Sequence, residues 1–310
     1  SPLAEATIVG ASIGRALAGE RPVACIQFAD FMAPAWNQLV SELGTLHWRS
    51  NGRWNAPVIV LAICGAYRPG LGPYHAQTPD AALVQIPGVD VYTPSNAVDA
   101  AGLLQAAFES GRPSVFLYPK SLINDREQLA PADVASLWTP VGKARVARAG
   151  SDLTLVSWGS TIPLCERAAA ALQEHDALVE LVDLRTLSPW DRDAVLASAR
   201  KTGRLLVVHE DNRTCGLGAE IAATVAEACG ADVRIARLAR DDTYVAFHFG
   251  VQLAVLPTYR KVVEQAAALL DYEVEWEEPV CEEEGRLTIN AIGSSPSDET
   301  IQVTDVHVKV

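Results

Sequence analysis

The stretch RPVACIQFADFMAPAWNQLVSELGTL, residues 21–46, decides the fold. Its opening, RPVACIQF, is a short β-rich run charged only at its first residue, and it reads as a strand. The continuation, APAWNQLVSELGTL, spaces its apolar residues for a helix. A strand feeding directly into a helix is the repeating unit of a parallel sheet covered on both faces.

The same alternation extends in both directions. Upstream, Glu5 to Ala18 reads as a helix. Downstream come the strand APVIVLAIC, a glycine-rich loop, the helix DAALVQIP, the strand VDVYTPS, the helix AVDAAGLLQAAFES and the strand PSVFLYP. An irregular connection over Lys120 to Arg148 interrupts the rhythm. It restarts with DLTLVSWG, PLCERAAAALQEH, LVELVDLRTL, DRDAVLASARKT, RLLVVHED and a helix from Ala219 to Cys229, and continues to about Leu270. The expected architecture is α/β: two doubly wound, mostly parallel-sheet domains over residues 1–145 and 146–270. Residues 271–286 form an acidic linker, and 287–310 alternate like a truncated β-rich tail.

Composition narrows the function. Eight acids lie between Asp271 and Glu284 with no Lys or Arg among them, so more than half of the net charge of −13 is local to the linker. No basic patch speaks for nucleic acid or an anionic membrane as a partner. No apolar run is long enough to span a bilayer. Six cysteines, at 25, 64, 165, 215, 229 and 281, show no CxxC or Cys/His clustering. They read as reduced thiols, mostly small core residues, in a cytosol-like compartment.

Three stretches carry chemistry. Glu5 heads a helix otherwise built of Ala, Gly, Ile, Val and Leu. An acid there can simply answer the helix dipole. The run of small residues around it also lets something large pack closely, and in such a setting a carboxyl can hold or share a proton near neutral pH. In IQFADFMAPAWNQLV (26–40) the aromatics Phe28, Phe31 and Trp36 suit a core, yet Gln27 and Asp30 interleave with them at the strand end, where open α/β sheets bind ligands. The loop CGAYRPGLGPYHAQTPDA (64–81) carries His75. A lone histidine is often structural, but one on a strand-end loop is placed for proton transfer. CGLGAEI (215–221) could cradle an anion, or its glycines could serve helix packing. The other five histidines, at 47, 175, 209, 248 and 307, lack metal-ligand spacing and read as structural or surface residues, so no metal site is expected.

Together, PLAEATIVGAS, IQFADFMAPAWNQL, GPYHAQTPDA, VELVDLRTLSPWD and GRLLVVHED resemble one family, in order and with its spacing, over residues 1 to 270. It is the beta subunit, or the beta portion of an alpha/beta fusion, of the thiamine-diphosphate-dependent decarboxylating component of pyruvate- and branched-chain-type 2-oxo acid dehydrogenases. This is a transketolase-like superfamily. The resemblance implies a pyrimidine-binding domain followed by a transketolase C-terminal-like domain.

It also implies roles. Glu5 would hydrogen-bond the pyrimidine ring, Leu3 would contact the bent cofactor, Phe31 would stack on the pyrimidine and Gln27 would be a nearby polar contact. His75 would transfer protons or meet the intermediate. No GDG motif is present, so the diphosphate and Mg²⁺ would be held by an alpha subunit or alpha portion. A K⁺ ion in the first domain is allowed by the same analogy. Further implied partners are a lipoyl-bearing acyltransferase component and a second beta portion. The location would be the cytoplasm in bacteria or the mitochondrial matrix in eukaryotes. A full-length member would carry several tens of residues ahead of Ser1, and the tail resembles the opening of a lipoyl- or biotinyl-type domain. Transketolase, deoxyxylulose-phosphate synthase and a non-catalytic scaffold subunit are the alternatives.

Overall fold

The computed structural model describes residues 3–123, 129–274, 286–288 and 307–309. Ten strands build two sheets. In the first half of the chain they are β1 (Val23–Ile26), β2 (Ile59–Cys64), β3 (Asp90–Tyr92) and β4 (Ser114–Pro119). The second half supplies β5 (Arg145–Arg148), β6 (Leu153–Ser157), β7 (Val179–Asp183), β8 (Thr186–Ser188), β9 (Arg204–Asn212) and β10 (Arg234–Arg240).

The first sheet has the order β1-β2-β4-β3-β8 and the second β10-β9-β6-β7-β5. In each, four strands run parallel and one edge strand, β8 or β5, is antiparallel. Every residue of β6 and β7 is buried, as expected of strands covered by helices on both faces. The helices are bounded by local chemistry. Asn96 caps Ala97–Ser110 by accepting from the Asp99 amide at 2.8 Å, and Gly111 ends that helix at φ 64°. Asp191 and Gly203 do the same for Arg192–Thr202.

The pattern of strands and helices matches the sequence reading, with three departures. The connection expected to be irregular over Lys120 to Arg148 ends in β5, the antiparallel edge of the second sheet. The segment expected as one helix over 33–46 is wound as a 3₁₀ turn, Ala29–Ala35, then a π-type turn, Gln38–Leu43, and a short α-turn, Leu46–Arg49. Pro34 lies within the 3₁₀ stretch, where its missing N–H withholds an α-helical hydrogen bond. The run LVELVDLRTL, read as one strand, is two. Arg185 adopts φ 59°, which breaks the ladder. Thr186–Ser188 then leaves the second sheet and pairs antiparallel with β3.

A continuous apolar core runs beneath both sheets, taking in Val60, Leu83 and Leu117 from the first half with Trp158, Val207 and Leu217 from the second. Cys64 and Cys165 are buried and free, as read from the sequence, whereas Cys25 and Cys215 are exposed. Cys281 and most of the acidic linker and tail lie outside the described residues. Of the tail, Arg286–Thr288 pairs antiparallel with His307–Lys309. Among the described residues no helix is long and apolar enough to cross a membrane.

Candidate functional site

The carboxyl ends of β1, β2 and β4 converge on one loop. β1 delivers Phe28, Asp30 and Phe31, β2 runs into Gly65 and Ala66, and β4 ends beside Lys120. The loop they surround carries His75.

Three rings meet there edge to face. The His75 imidazole lies 4.8 Å from the Phe28 centroid and 5.5 Å from that of Phe31, and the two phenyl rings are 5.7 Å apart. Such T-shaped contacts fix ring orientation as well as position. The backbone around His75 is gripped from two sides. Asp30 Oδ1 accepts the amides of Ala76 at 3.2 Å and Gln77 at 3.1 Å. Lys120 Nζ donates to the Gly65 carbonyl at 2.9 Å and to the His75 carbonyl, and sits 4.9 Å from the Phe28 ring centre. Burial raises the Asp30 carboxyl above its ordinary range although the Gln77 amide opposes the shift. Burial likewise lowers the Lys120 ammonium, with Asp30 acting against it.

Beneath the loop lies a buried ionisable layer joining the two halves of the chain. Glu210, at the end of β9, accepts from the Ala66 amide and the Ser160 hydroxyl. Asp80 accepts from Trp158 Nε1 at 2.7 Å, while its other oxygen has no partner among the described residues. Burial drives the Asp80 carboxyl well above the carboxylate range, and the neighbouring Asp211 adds to the shift. His209 stacks on Trp158 at 5.2 Å with both ring nitrogens unpartnered among the described residues, and burial lowers it to about 3. The glycines of CGLGAEI serve this packing: a Cβ on Gly218 would come within 2.7 Å of the His209 ring.

The structure brings Phe31 and His75 together, with Asp30 holding the loop between them. Glu5 is the first residue of the helix Glu5–Leu17, which packs along the Ala29–Ala35 turn carrying Phe31. Glu5 is half-buried, and its carboxylate makes no hydrogen bond or ion pair among the described residues. Leu3 precedes it at 91% exposure, and Gln27 is exposed just past the end of β1. Neither touches the ring cluster through any hydrogen bond. An unpaired carboxylate, an open leucine and a half-buried flat ring are the donor and surface types that a protonatable heteroaromatic ring requires, so these residues fit the pyrimidine half of thiamine diphosphate. Among the described residues no cluster of three or more His, Cys, Asp or Glu side chains is arranged to hold a metal ion.

Two family models cover most of the chain: the transketolase pyrimidine-binding domain matches residues 1–126 and the transketolase C-terminal domain matches 142–262. The chain is 38% identical over 275 residues to the mitochondrial 2-oxoisovalerate dehydrogenase subunit beta 2 of Arabidopsis thaliana, covering 88% of this chain and 75% of that protein. It is 39% identical over 244 residues to the 2-oxoisovalerate dehydrogenase subunit beta of Bacillus subtilis, covering 78% and 74%. The chain belongs to the 2-oxo acid dehydrogenase beta-subunit family. A third member, the pyruvate dehydrogenase E1 component subunit beta of Staphylococcus epidermidis, is 36% identical over 276 residues, covering 88% and 83%. A solved structure, described as a split-gene transketolase in an inactive beta4 tetramer, shares the fold with a TM-score of 0.70 at 22% identity, over 86% of this chain and 82% of that one.

Within this family member, sequence reading missed Phe28 as a partner of His75, and Lys120, Glu210 and Arg240 altogether. Phe28 had a signal, since it sits three residues before Phe31 on a turn. Glu210 lies within GRLLVVHED, whose pattern assigns the acid no role, whereas Lys120 and Arg240 sit at strand ends where nothing in the local pattern marks them.

Proposed function

We propose that this chain is the beta half of a thiamine-diphosphate-dependent decarboxylating component that acts on a 2-oxo acid, pyruvate or a branched-chain analogue, and works with an alpha portion. The observation that supports the reading most is the ring cluster of Phe28, Phe31 and His75 at the strand ends, beside a helix that begins with an unpaired acid.

Thiamine diphosphate, when bound, supplies the carbanion and the electron sink that a 2-oxo acid needs to lose carbon dioxide. The chain's own residues do the rest. Glu5 would exchange a proton with the pyrimidine ring nitrogen. Phe31 would offer its ring as the stacking platform, and the exposed Leu3 would contact the cofactor. Gln27 adds a polar contact at the rim. His75, held on the strand-end loop against Phe28 and Phe31, would exchange protons with the substrate. An alpha portion holds the diphosphate and Mg²⁺, a lipoyl-bearing acyltransferase receives the acyl group, and a second beta portion completes the assembly.

The test assembles the chain with an alpha portion and follows reduction of an artificial electron acceptor with pyruvate, branched 2-oxo acids and 2-oxoglutarate. Turnover that depends on thiamine diphosphate and Mg²⁺ is expected, and Glu5→Gln lowers kcat by roughly 10²- to 10⁴-fold, the size of a lost general-acid contribution. Tight cofactor binding without turnover on any 2-oxo acid moves the assignment to sugar transfer. Absence of cofactor binding leaves a scaffold subunit.

A further inference from the structure

Arg240 is the last residue of β10 and belongs to the second sheet, yet it reaches the His75 loop of the first half. Its guanidinium is only 4% exposed. One arm, Nη2, donates to the Asn212 side-chain carbonyl and lies 3.7 Å from Asp211. The other, Nη1, donates to Gln77 Oε1 at 2.7 Å.

Gln77 has every polar group engaged. Its side-chain amide donates to the Pro73 carbonyl at 3.3 Å, its backbone N–H to Asp30 at 3.1 Å, and its carbonyl accepts from the Gly65 amide at 3.1 Å. The side chain therefore closes the loop from Pro73 to Gln77, with His75 at its centre. Of these contacts only that with Arg240 comes from the second half of the chain. It is also much shorter than the ion pair to Asp211, so the fork is aimed at Gln77 as well as balancing charge.

We propose that Arg240 is a positioning residue for His75, acting through Gln77. The second half of the chain would thereby set where the imidazole sits against Phe28 and Phe31. This rests on the reading of His75 as a working group of the site.

The test uses the full chain with ring-labelled histidines. The phenyl rings at 4.8 and 5.5 Å displace the His75 ring-proton signal by their ring currents, and His75→Asn assigns that signal. Arg240→Met and Gln77→Leu are each expected to move it toward the value of an exposed imidazole. Their combination should move it no further, and the exposed His47 and His175 should stay unmoved. Arg240→Lys should return it part of the way. In the assembly with the alpha portion, kcat falls about tenfold while KM stays within about twofold, as for a small misplacement of a reacting group.

An unmoved His75 signal in both variants, alongside a lowered thermal midpoint, overturns the proposal and leaves Arg240 as a counter-charge for Asp211. Should Arg240→Met fail to fold, Gln77→Leu decides alone, because it removes no charge. A wild-type assembly with no 2-oxo acid turnover sinks the functional reading, and the His75 signal still decides this one.

Discussion

Replacing Lys120 by Met tests how the site is held. The ammonium donates to two backbone carbonyls, of Gly65 and His75, and faces the Phe28 ring at 4.9 Å. Charge-assisted hydrogen bonds of this kind are worth about 1.5 kcal/mol each at the low end, and the ring contact adds about 0.5 to 1 kcal/mol. Against these stand the desolvation of a group whose ammonium is already lowered by burial, and about 1 to 2 kcal/mol of side-chain entropy. Methionine keeps most of the apolar stem packing. The net expectation is a loss of about 2 kcal/mol. At roughly 2 °C per kcal/mol for a chain of this size, the thermal midpoint falls by about 4 °C. Circular dichroism melting measures it, and amide exchange of Ala76 and Gln77 should quicken in parallel. Lys120→Arg, which can still reach both carbonyls, should recover most of the loss. A midpoint unchanged within about 1 °C, with exchange at Ala76 and Gln77 unaltered, would refute the idea that Lys120 bolts the loop to β4.

Two further expectations concern pH. Asp183 is fully buried, and burial raises it from 3.8 to about 6 in spite of Ser95 and Arg145. Its folded value exceeds the unfolded one, so stability is lost as pH climbs from about 4 to 6. Asp183→Asn should gain on the wild type across that window by about 3 kcal/mol, read from urea unfolding at several pH values, and a constant difference would contradict it. His209 runs the other way: burial lowers it from 6.5 to about 3, the nearby Arg237 and Arg240 adding to the shift. Its contribution is complete above about pH 6.5 and drains away as pH falls toward 3, by an amount on the order of 4 to 5 kcal/mol. His209→Leu should flatten that acid limb; an identical slope in both proteins would mean the ring charges elsewhere.

How much of this was legible beforehand follows from the range of each interaction. The strands announced themselves because a strand buried on both faces must be continuously apolar, as in APVIVLAIC. Phe31 and His75 were legible as candidates because each sits where a strand gives way to a loop. Their meeting was not, since Lys120 and Arg240 act across the fold and no local period encodes a contact between residues 77 and 240. The end of LVELVDLRTL misled for a related reason. Both pieces are apolar enough for one strand, and only the left-handed backbone at Arg185 separates them.

The wandering of Thr186–Ser188 into the first sheet has a consequence for how the molecule comes apart. Without it, β3 would present bare amides and carbonyls to any passing strand, a standing invitation to aggregate. The guard against that hazard is encoded some ninety residues later in the chain, in the half whose own sheet does not need it. Loosening the second half therefore strips the margin of the first sheet.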